Sequence, residues 1–464
     1  MSGRNYLIGD RAFYKKVALI ILPLILQNTI SNVVNLVDNV MVGAVGTLEM
    51  SSVAIVNQLV FIFMLVIFGG LAGAGIFSAQ YAGAQDHEGV RHCFRIKLII
   101  ALTMFVIAGT VFFLFSENLI GLYIAEDTSA ADRAATLGFG KQYFEIIIIG
   151  LLPFALSQTY SSTLRELGET RLPMIASIAA ILTNLFFNWL LIFGNLGFPR
   201  LGVAGAAIAT SGSRLVELAI LVIFTHASRR RFPFIKGAYR SLKVPGELVK
   251  SIARRGAPLL MNEFLWSLGM AVLLNCYSMR GLHVVAAANI SQTISNLFNV
   301  VFISSGNAIG IIVGQQLGAG KFEEAKTSAW RIIALSVAGC FIMGGAMAVA
   351  APFIPNLYNV ESDVKALATS LLWIFSAAMP VISFCHGCYF TLRSGGKTII
   401  TFLFDSGFTW LASVPMAFCL VNFTQINIVL IYVLVNSLEI IKAVVGFILV
   451  KKGVWMNNII GEKK

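Results

Sequence analysis

The chain has 464 residues, 57% of them hydrophobic and only 12% charged, with a mean hydropathy of +0.82 and a formal net charge of +12. Soluble domains carry roughly 25% charged residues, so the polar residues here are too few to cover a water-exposed surface, and the class is polytopic α-helical membrane protein. The bases lie in the connections between apolar runs, which makes the net charge a topology signal rather than a nucleic-acid footprint.

Apolar blocks of about 20 residues span a bilayer as helix. Twelve follow one another, at 15–42, 52–82, 93–116, 137–164, 172–194, 202–226, 250–278, 286–316, 329–352, 365–391, 398–420 and 427–450. The first is too long for the apolar core of a cleaved leader and has no small-residue cleavage site after it, so it is expected to stay in the protein. Alternate connections are basic. Arg4, Arg11, Lys15 and Lys16 precede the first run, Arg91, Arg95 and Lys97 follow the second, Arg165 and Arg171 follow the fourth, and a basic stretch from Arg229 to Arg255 follows the sixth. Lys321, Lys326 and Arg331, then Arg393 and Lys397, then Lys451, Lys452, Lys463 and Lys464 continue the series. The other connections hold the acids Glu117, Glu126, Asp127 and Asp132 and few bases. By the positive-inside rule both termini are cytoplasmic.

The halves repeat. At an offset of 235, Pro23 pairs with Pro258, Gly75 with Gly310, Gln80 with Gln315, Gly83 with Gly318 and Glu88 with Glu323. At an offset of 228, Thr163, Leu164, Arg165, Gly168 and Thr170 match Thr391, Leu392, Arg393, Gly396 and Thr398. Six spans per half is an even number, so both halves enter the membrane in the same sense, a parallel repeat about an axis along the membrane normal. Two such lobes, 1–235 and 236–464, facing each other across a cleft make a transporter architecture, with substrate near the midplane and one bundle rocking against the other. The repeat fails at Asp38, which the offset pairs with Leu273. The halves are therefore expected to share a scaffold and differ in chemistry.

Asp38 lies inside the first apolar run. A carboxylate in hydrocarbon costs about 2.5–3.5 kcal/mol on insertion scales, so an intramembrane Asp marks a functional site by default. At 1.5 Å per residue it is about 6 Å below the outer end of its span. Asn184 and Asn188 form an i, i+4 pair on the fifth span, roughly 15 and 9 Å below its outer end, and Thr210 is roughly 12 Å below the outer end of the sixth. Carboxylate, amide and hydroxyl oxygens suit a small hard cation. A buried carboxylate suits a proton equally well, because burial disfavours its charged form.

The second half has its own polar groups. Glu263 lies about 20 Å into span seven and is expected to contact substrate or ion. Asp405, about 10 Å into span eleven, is expected to be structural and paired with a basic loop residue. Arg214 and Glu217, at i, i+3, are read as neutralising each other. Asn289, Gln292, Asn296 and Asn299 form one stripe on span eight, and Trp266 offers aromatic surface to lipophilic cations. Cys385-His386-Gly387-Cys388 lacks the further ligands of a metal site and reads as a tight helix contact. No nucleotide fingerprint or nucleophile arrangement is present, so no enzymatic activity is expected.

The chain resembles the MATE family, the multidrug and toxic compound extrusion transporters. The carriers are Asn-Leu-Val-Asp-Asn-Val-Met-Val-Gly at 35–43, Gly-Ala-Gly-x(4)-Gln-Tyr-x-Gly-Ala at 73–84, Thr-Leu-Arg-Glu-Leu-Gly-Glu-Thr-Arg at 163–171 and Gly-Val-Ala-Gly-Ala-Ala-Ile-Ala-Thr at 202–210. Asn-Glu-Phe-Leu-Trp-Ser-Leu-Gly at 262–269 and Asp-Ser-Gly-Phe-Thr-Trp at 405–410 extend it through the second half. The resemblance implies an all-α integral membrane fold of twelve helices in two pseudo-symmetric six-helix lobes. It also implies export of organic, cationic or lipophilic compounds against inward Na⁺ or H⁺. In some members an acid of the first helix, an Asn and an Asp on the fifth, and a backbone carbonyl and a Thr on the sixth hold the cation or proton. The matching positions are Asp38, Asn184, Asn188, Ala206 and Thr210. Asn188 stands where an Asp is expected, so the site carries less negative charge, and either Na⁺ or H⁺ fits it. The acid that some members carry on the tenth helix is missing between Met379 and Phe390. The expectation is a monomer in the plasma (cell inner) membrane with a small organic substrate, lipid around it, and no cofactor beyond Na⁺ as coupling ion. The rival within the superfamily is a lipid-linked oligosaccharide flippase. That activity needs a cationic cleft, and Arg214 with its own Glu217 argues against it.

Overall fold

A computed structural model describes residues 7–124 and 128–461. Arg4, Glu126, Asp127, Lys463 and Lys464 of the charge pattern lie outside the described residues. The described chain is helical. Its first six long helices are α1 (Arg11–Gly43), α2 (Thr47–Gly83), α3 (His87–Gly121), α4 (Ala130–Glu166), α5 (Arg171–Phe193) and α6 (Val203–Ala227). The next six are α7 (Gly246–Ser278), α8 (Leu282–Gly318), α9 (Phe322–Ala350), α10 (Ser362–Ser394), α11 (Thr398–Phe423) and α12 (Ile428–Lys452). Among the described residues these twelve are long and apolar enough to cross a membrane. Helices suit that solvent because each satisfies its own backbone hydrogen bonds. α3 also turns Leu102, Val106 and Phe113 outward, the surface that lipid covers.

The chain falls into two compact units. One comprises Leu26–Ser78 and His87–Ile252, the other Met1–Ile25, Ala79–Asp86 and Ala253–Lys464. The first is cored by Val56, Phe63, Ile67, Phe144, Ile147 and Ile192. The second is cored by Val17, Leu24, Ile309, Ile312, Leu317, Ile332, Leu392 and Trp455.

Several helices run longer than the apolar runs. α3 starts at His87, six residues before the expected span. Arg95 and Lys97, counted with the connection charges, are buried against neighbouring elements rather than bare in water. Arg95 is held by the carbonyls of Gly237, Ala238 and Lys243, which straps the long connection after α6 against α3. α11 departs from α geometry over Leu403–Gly407 and Thr409–Ser413, where it winds as π-helix. Such turns are rare and are frequent at functional sites.

The internal repeat has a physical counterpart in the second unit. A Cβ on Gly83 would lie 1.8 Å from the Gln315 carbonyl oxygen, and a Cβ on Gly318 would lie 1.9 Å from the Gln80 carbonyl oxygen. The repeat partners thus touch reciprocally, the helix end of each half resting on the backbone of the other. The corresponding turns Gly168 and Gly396 both have positive φ, 85° and 73°. Backbone contact of this kind requires glycine. Gly83→Ala is expected to lose several kcal/mol of stability by overpacking, visible as a lower thermal-unfolding midpoint in detergent, whereas an unchanged midpoint would mean that the crossing yields freely.

Candidate coupling site

α5 and α6 form a helical hairpin whose packing sets the site. Gly205 lies against the Leu191 carbonyl, so closely that a Cβ there would sit 2.6 Å from the oxygen. From that contact the antiparallel helices bring Thr210 opposite Asn184. α6 is pinned to α4 by Ser211 Oγ donating to the Ile146 carbonyl at 3.1 Å.

Asp38 of α1 meets this hairpin. Asn188 Nδ2 donates to Asp38 Oδ1 at 2.8 Å. One end of the Asn184 amide lies 2.8 and 3.0 Å from the two Asp38 oxygens, and its other end lies 3.2 Å from Thr210 Oγ1. A bare carboxylate only accepts, so the amide is assigned with Nδ2 donating to Asp38 and Oδ1 accepting from Thr210. Asn184 and Asn188 are both buried. Asn188 Oδ1 is buried and has no hydrogen-bond partner among the described residues, a position that native structures rarely leave unexplained.

The four residues read from depth on three helices thus share one site, and Ala206 lines the same cavity. The cavity measures about 360 Å³ and is walled by Val60, Phe61, Met64, Ile147, Leu151 and Phe154. The wall holds further polar residues that counting by depth did not bring to it, Asn57, Tyr143, Ser211, Ser213 and Arg214, the last read only as the partner of Glu217. Tyr143 of α4 donates its hydroxyl to Asn57 Oδ1 of α2 at 3.2 Å, and Arg214 of α6 also reaches the cavity. A signal for Tyr143 existed, since Tyr143, Ile147, Gly150, Leu151 and Phe154 fall on one helical face and all line the cavity.

The second unit distributes its polar residues differently. Glu263 is half-buried and makes no hydrogen bond or ion pair among the described residues, while Trp266, Asn289 and Gln292 are exposed. Gln292 Nε2 donates to Asn296 Oδ1 at 2.9 Å, so the stripe on α8 partly satisfies itself. None of the four lines the cavity around Asp38.

The buried polar centre of this unit uses Asn262 instead, one residue before Glu263. Its Nδ2 donates to Asp405 Oδ2 at 3.1 Å, and its Oδ1 accepts from the backbone and hydroxyl of Ser406. Asp405 Oδ1 also takes Lys442 Nζ at 3.0 Å. The partner of Asp405 is therefore an α12 residue and not the basic loop residue expected. His386 packs edge-on against Phe302, with ring centroids 4.6 Å apart, and Cys385 and Cys388 are buried. A Cβ on Gly446 would lie 3.0 Å from the Cys388 Cβ, as a close helix contact requires.

Known proteins agree with this architecture. The MatE family profile matches residues 23–190 and 258–419, one segment in each half. The "Probable multidrug resistance protein NorM" of Thermotoga maritima is 26% identical over 434 residues, covering 92% of this chain and 90% of that protein. The "Probable multidrug resistance protein YoeA" of Bacillus subtilis is 24% identical over 427 residues, covering 90% and 89%. A solved structure described as MATE in the bent conformation superposes with a TM-score of 0.85 at 19% identity, covering 97% of each chain, a likeness of fold. With the family profile present in both repeats and twelve apolar helices arranged as in solved MATE structures, the chain belongs to the MatE family and is a multi-pass membrane transporter.

Proposed function

We propose that the protein is an antiporter that exports organic, cationic or lipophilic compounds by alternating access, driven by one monovalent cation, Na⁺ or H⁺, at Asp38. The observation that carries this reading is the convergence of Asp38, Asn184, Asn188 and Thr210 on one cavity, with the Asn188 oxygen left unsatisfied. Without a cation the carboxylate is stabilised by two amide nitrogens. With a proton or Na⁺ on it, the Asn184 amide turns over: its oxygen faces the cation, its nitrogen donates to Thr210, and the free Asn188 oxygen supplies a further ligand. Hard oxygen donors suit Na⁺, and the same carboxylate accepts a proton. Each occupancy thus selects a different hydrogen-bond pattern linking α1 to α5 and α6, and a ligand shifts an equilibrium by its differential affinity for the two states.

The relatives' names as multidrug resistance proteins support an organic substrate. The charge pattern supports cytoplasmic termini, and the reading takes the membrane as the plasma membrane and the functional unit as a monomer. For a flippase of pyrophosphate-linked lipids the cavity offers one base, Arg214, already paired with Glu217.

Proteoliposomes loaded with ethidium, under a Na⁺ gradient or a pH gradient imposed one at a time, test the proposal. Efflux is expected to follow one gradient and to stop when it is collapsed. Efflux indifferent to both would refute it.

A further inference from the structure

We propose that the connection between α6 and α7 is a docking surface for anionic phospholipid, taking the headgroup phosphates of the leaflet on the side where α6 ends. From Leu218 to Gly246 the sequence holds no acid, while Arg229, Arg230, Arg231, Lys236, Arg240 and Lys243 supply six bases. Arg231 is spent on Glu169. The other five are exposed, and their side chains make no ion pair or hydrogen bond among the described residues. Basic connections are common on one side of membrane proteins, so the count alone distinguishes nothing. This connection differs in being folded. Phe232, Phe234, Ile235 and Ala238 are buried. Arg91 and Arg95 of α3 donate to the carbonyls of Phe234, Gly237, Ala238 and Lys243. Tyr239 stacks on His226 of α6 with ring centroids 5.8 Å apart, and its hydroxyl is bonded to that of Tyr160 on α4. The segment thus turns its apolar residues and carbonyls to the bundle and its bases outward, and little backbone freedom is left to lose when a ligand binds.

The bases stand at headgroup level. Ile223 and Phe224, near the end of α6, are exposed apolar side chains of the kind that lipid covers. Arg229 follows five residues after Phe224, about 8 Å further along at helical rise. Tyr239 and Leu242, each about half exposed, sit among the bases in sequence. Tyrosine is enriched at the membrane interface, where a ring and a leucine reach the acyl boundary while neighbouring bases stay with the phosphates. A phosphodiester accepts two guanidinium donors at once. Each base near an anionic lipid surface is worth about a fivefold gain in affinity. A soluble acidic partner would have to displace headgroups to cover Tyr239 and Leu242, so the position favours the lipid itself.

Native mass spectrometry of the full chain in detergent, offered equal amounts of phosphatidylglycerol and phosphatidylcholine with the same acyl chains, tests this. The native protein is expected to favour phosphatidylglycerol by about thirtyfold or more. Arg240→Gln with Lys243→Gln is expected to cut that preference about tenfold. Lys451→Gln with Lys452→Gln removes two exposed bases from the end of α12 and is expected to change it by less than about threefold. Both pairs are exposed, so the fold is not at stake. A native protein that retains the two lipids equally would overturn the proposal. So would an equal loss in the two variants, which would mean diffuse charge rather than a surface on this connection. Added inorganic phosphate, compared with sodium chloride of the same ionic strength, separates headgroup from free anion. Phosphatidylglycerol is expected to stay bound in both, and its displacement by phosphate alone would overturn the lipid assignment. The surface contains neither Asp38 nor the cavity around it, so this result is independent of ion coupling.

Discussion

Asp38→Asn is expected to reduce gradient-driven efflux to the passive leak while the protein stays folded. Asparagine has the same shape and retains an acceptor for Asn188 Nδ2, now 2.8 Å from Asp38 Oδ1. The fold should therefore survive, with a stability change within about 1 kcal/mol. What is lost is the negative charge, and with it the ability to exchange a proton or Na⁺ for the empty state. The Asn184 amide is then held in the turned-over orientation, its oxygen facing the new amide nitrogen at the Oδ2 position, with no cation exchange to turn it back. Efflux in proteoliposomes, with size-exclusion profiles and thermal midpoints as controls, checks this. A folded Asp38→Asn protein exporting at the native rate would remove Asp38 from the mechanism.

Lys97→Met is expected to have the largest effect on stability. Lys97 is fully buried, and its ammonium donates to both Glu166 oxygens at 2.7 and 2.6 Å, to Ser162 Oγ at 3.0 Å and to Thr163 Oγ1 at 3.3 Å. Removing one partner of such a pair strands the other charge and typically costs 3–5 kcal/mol. The same carboxylate packs against α2, where a Cβ on Gly75 would meet Glu166 Oε1 at 2.6 Å, so three helices depend on this pair. Lys97→Met combined with Glu166→Gln leaves no stranded charge and should recover much of the loss. Thermal unfolding in detergent reads both variants. A single variant as stable as the native chain, or a double variant no better than the single, would show that the pair is not what clamps α2, α3 and α4.

The contrast between the halves explains how much of the site was legible. In the first half three spans each offered one or two polar residues at similar depth, and depth follows from counting residues at 1.5 Å each. Asp38, Asn184, Asn188 and Thr210 could therefore be grouped before any contact was known. In the second half the same counting singled out Glu263. One residue is 100° of helix rotation, and packing turned Asn262 inward instead. Lys442 inside the twelfth span was a signal in itself, but its partner was not legible, because a base 37 positions after Asp405 in a different span becomes that partner only when α11 and α12 pack together. The π turns that carry Asp405 likewise leave no mark in the hydropathy.

Twelve spans, the doubled scaffold and the odd carboxylate of the first helix are properties of composition and order, since bilayer thickness and desolvation act on each segment separately. Pairing is a property of neighbours. Whether Arg95 and Lys97 sit in water or in the bundle, whether Arg214 reaches the cavity, and which amide end meets Asp38 were decided only when helices distant in the chain came within hydrogen-bond reach, because a buried polar group takes its role from whichever partner satisfies it.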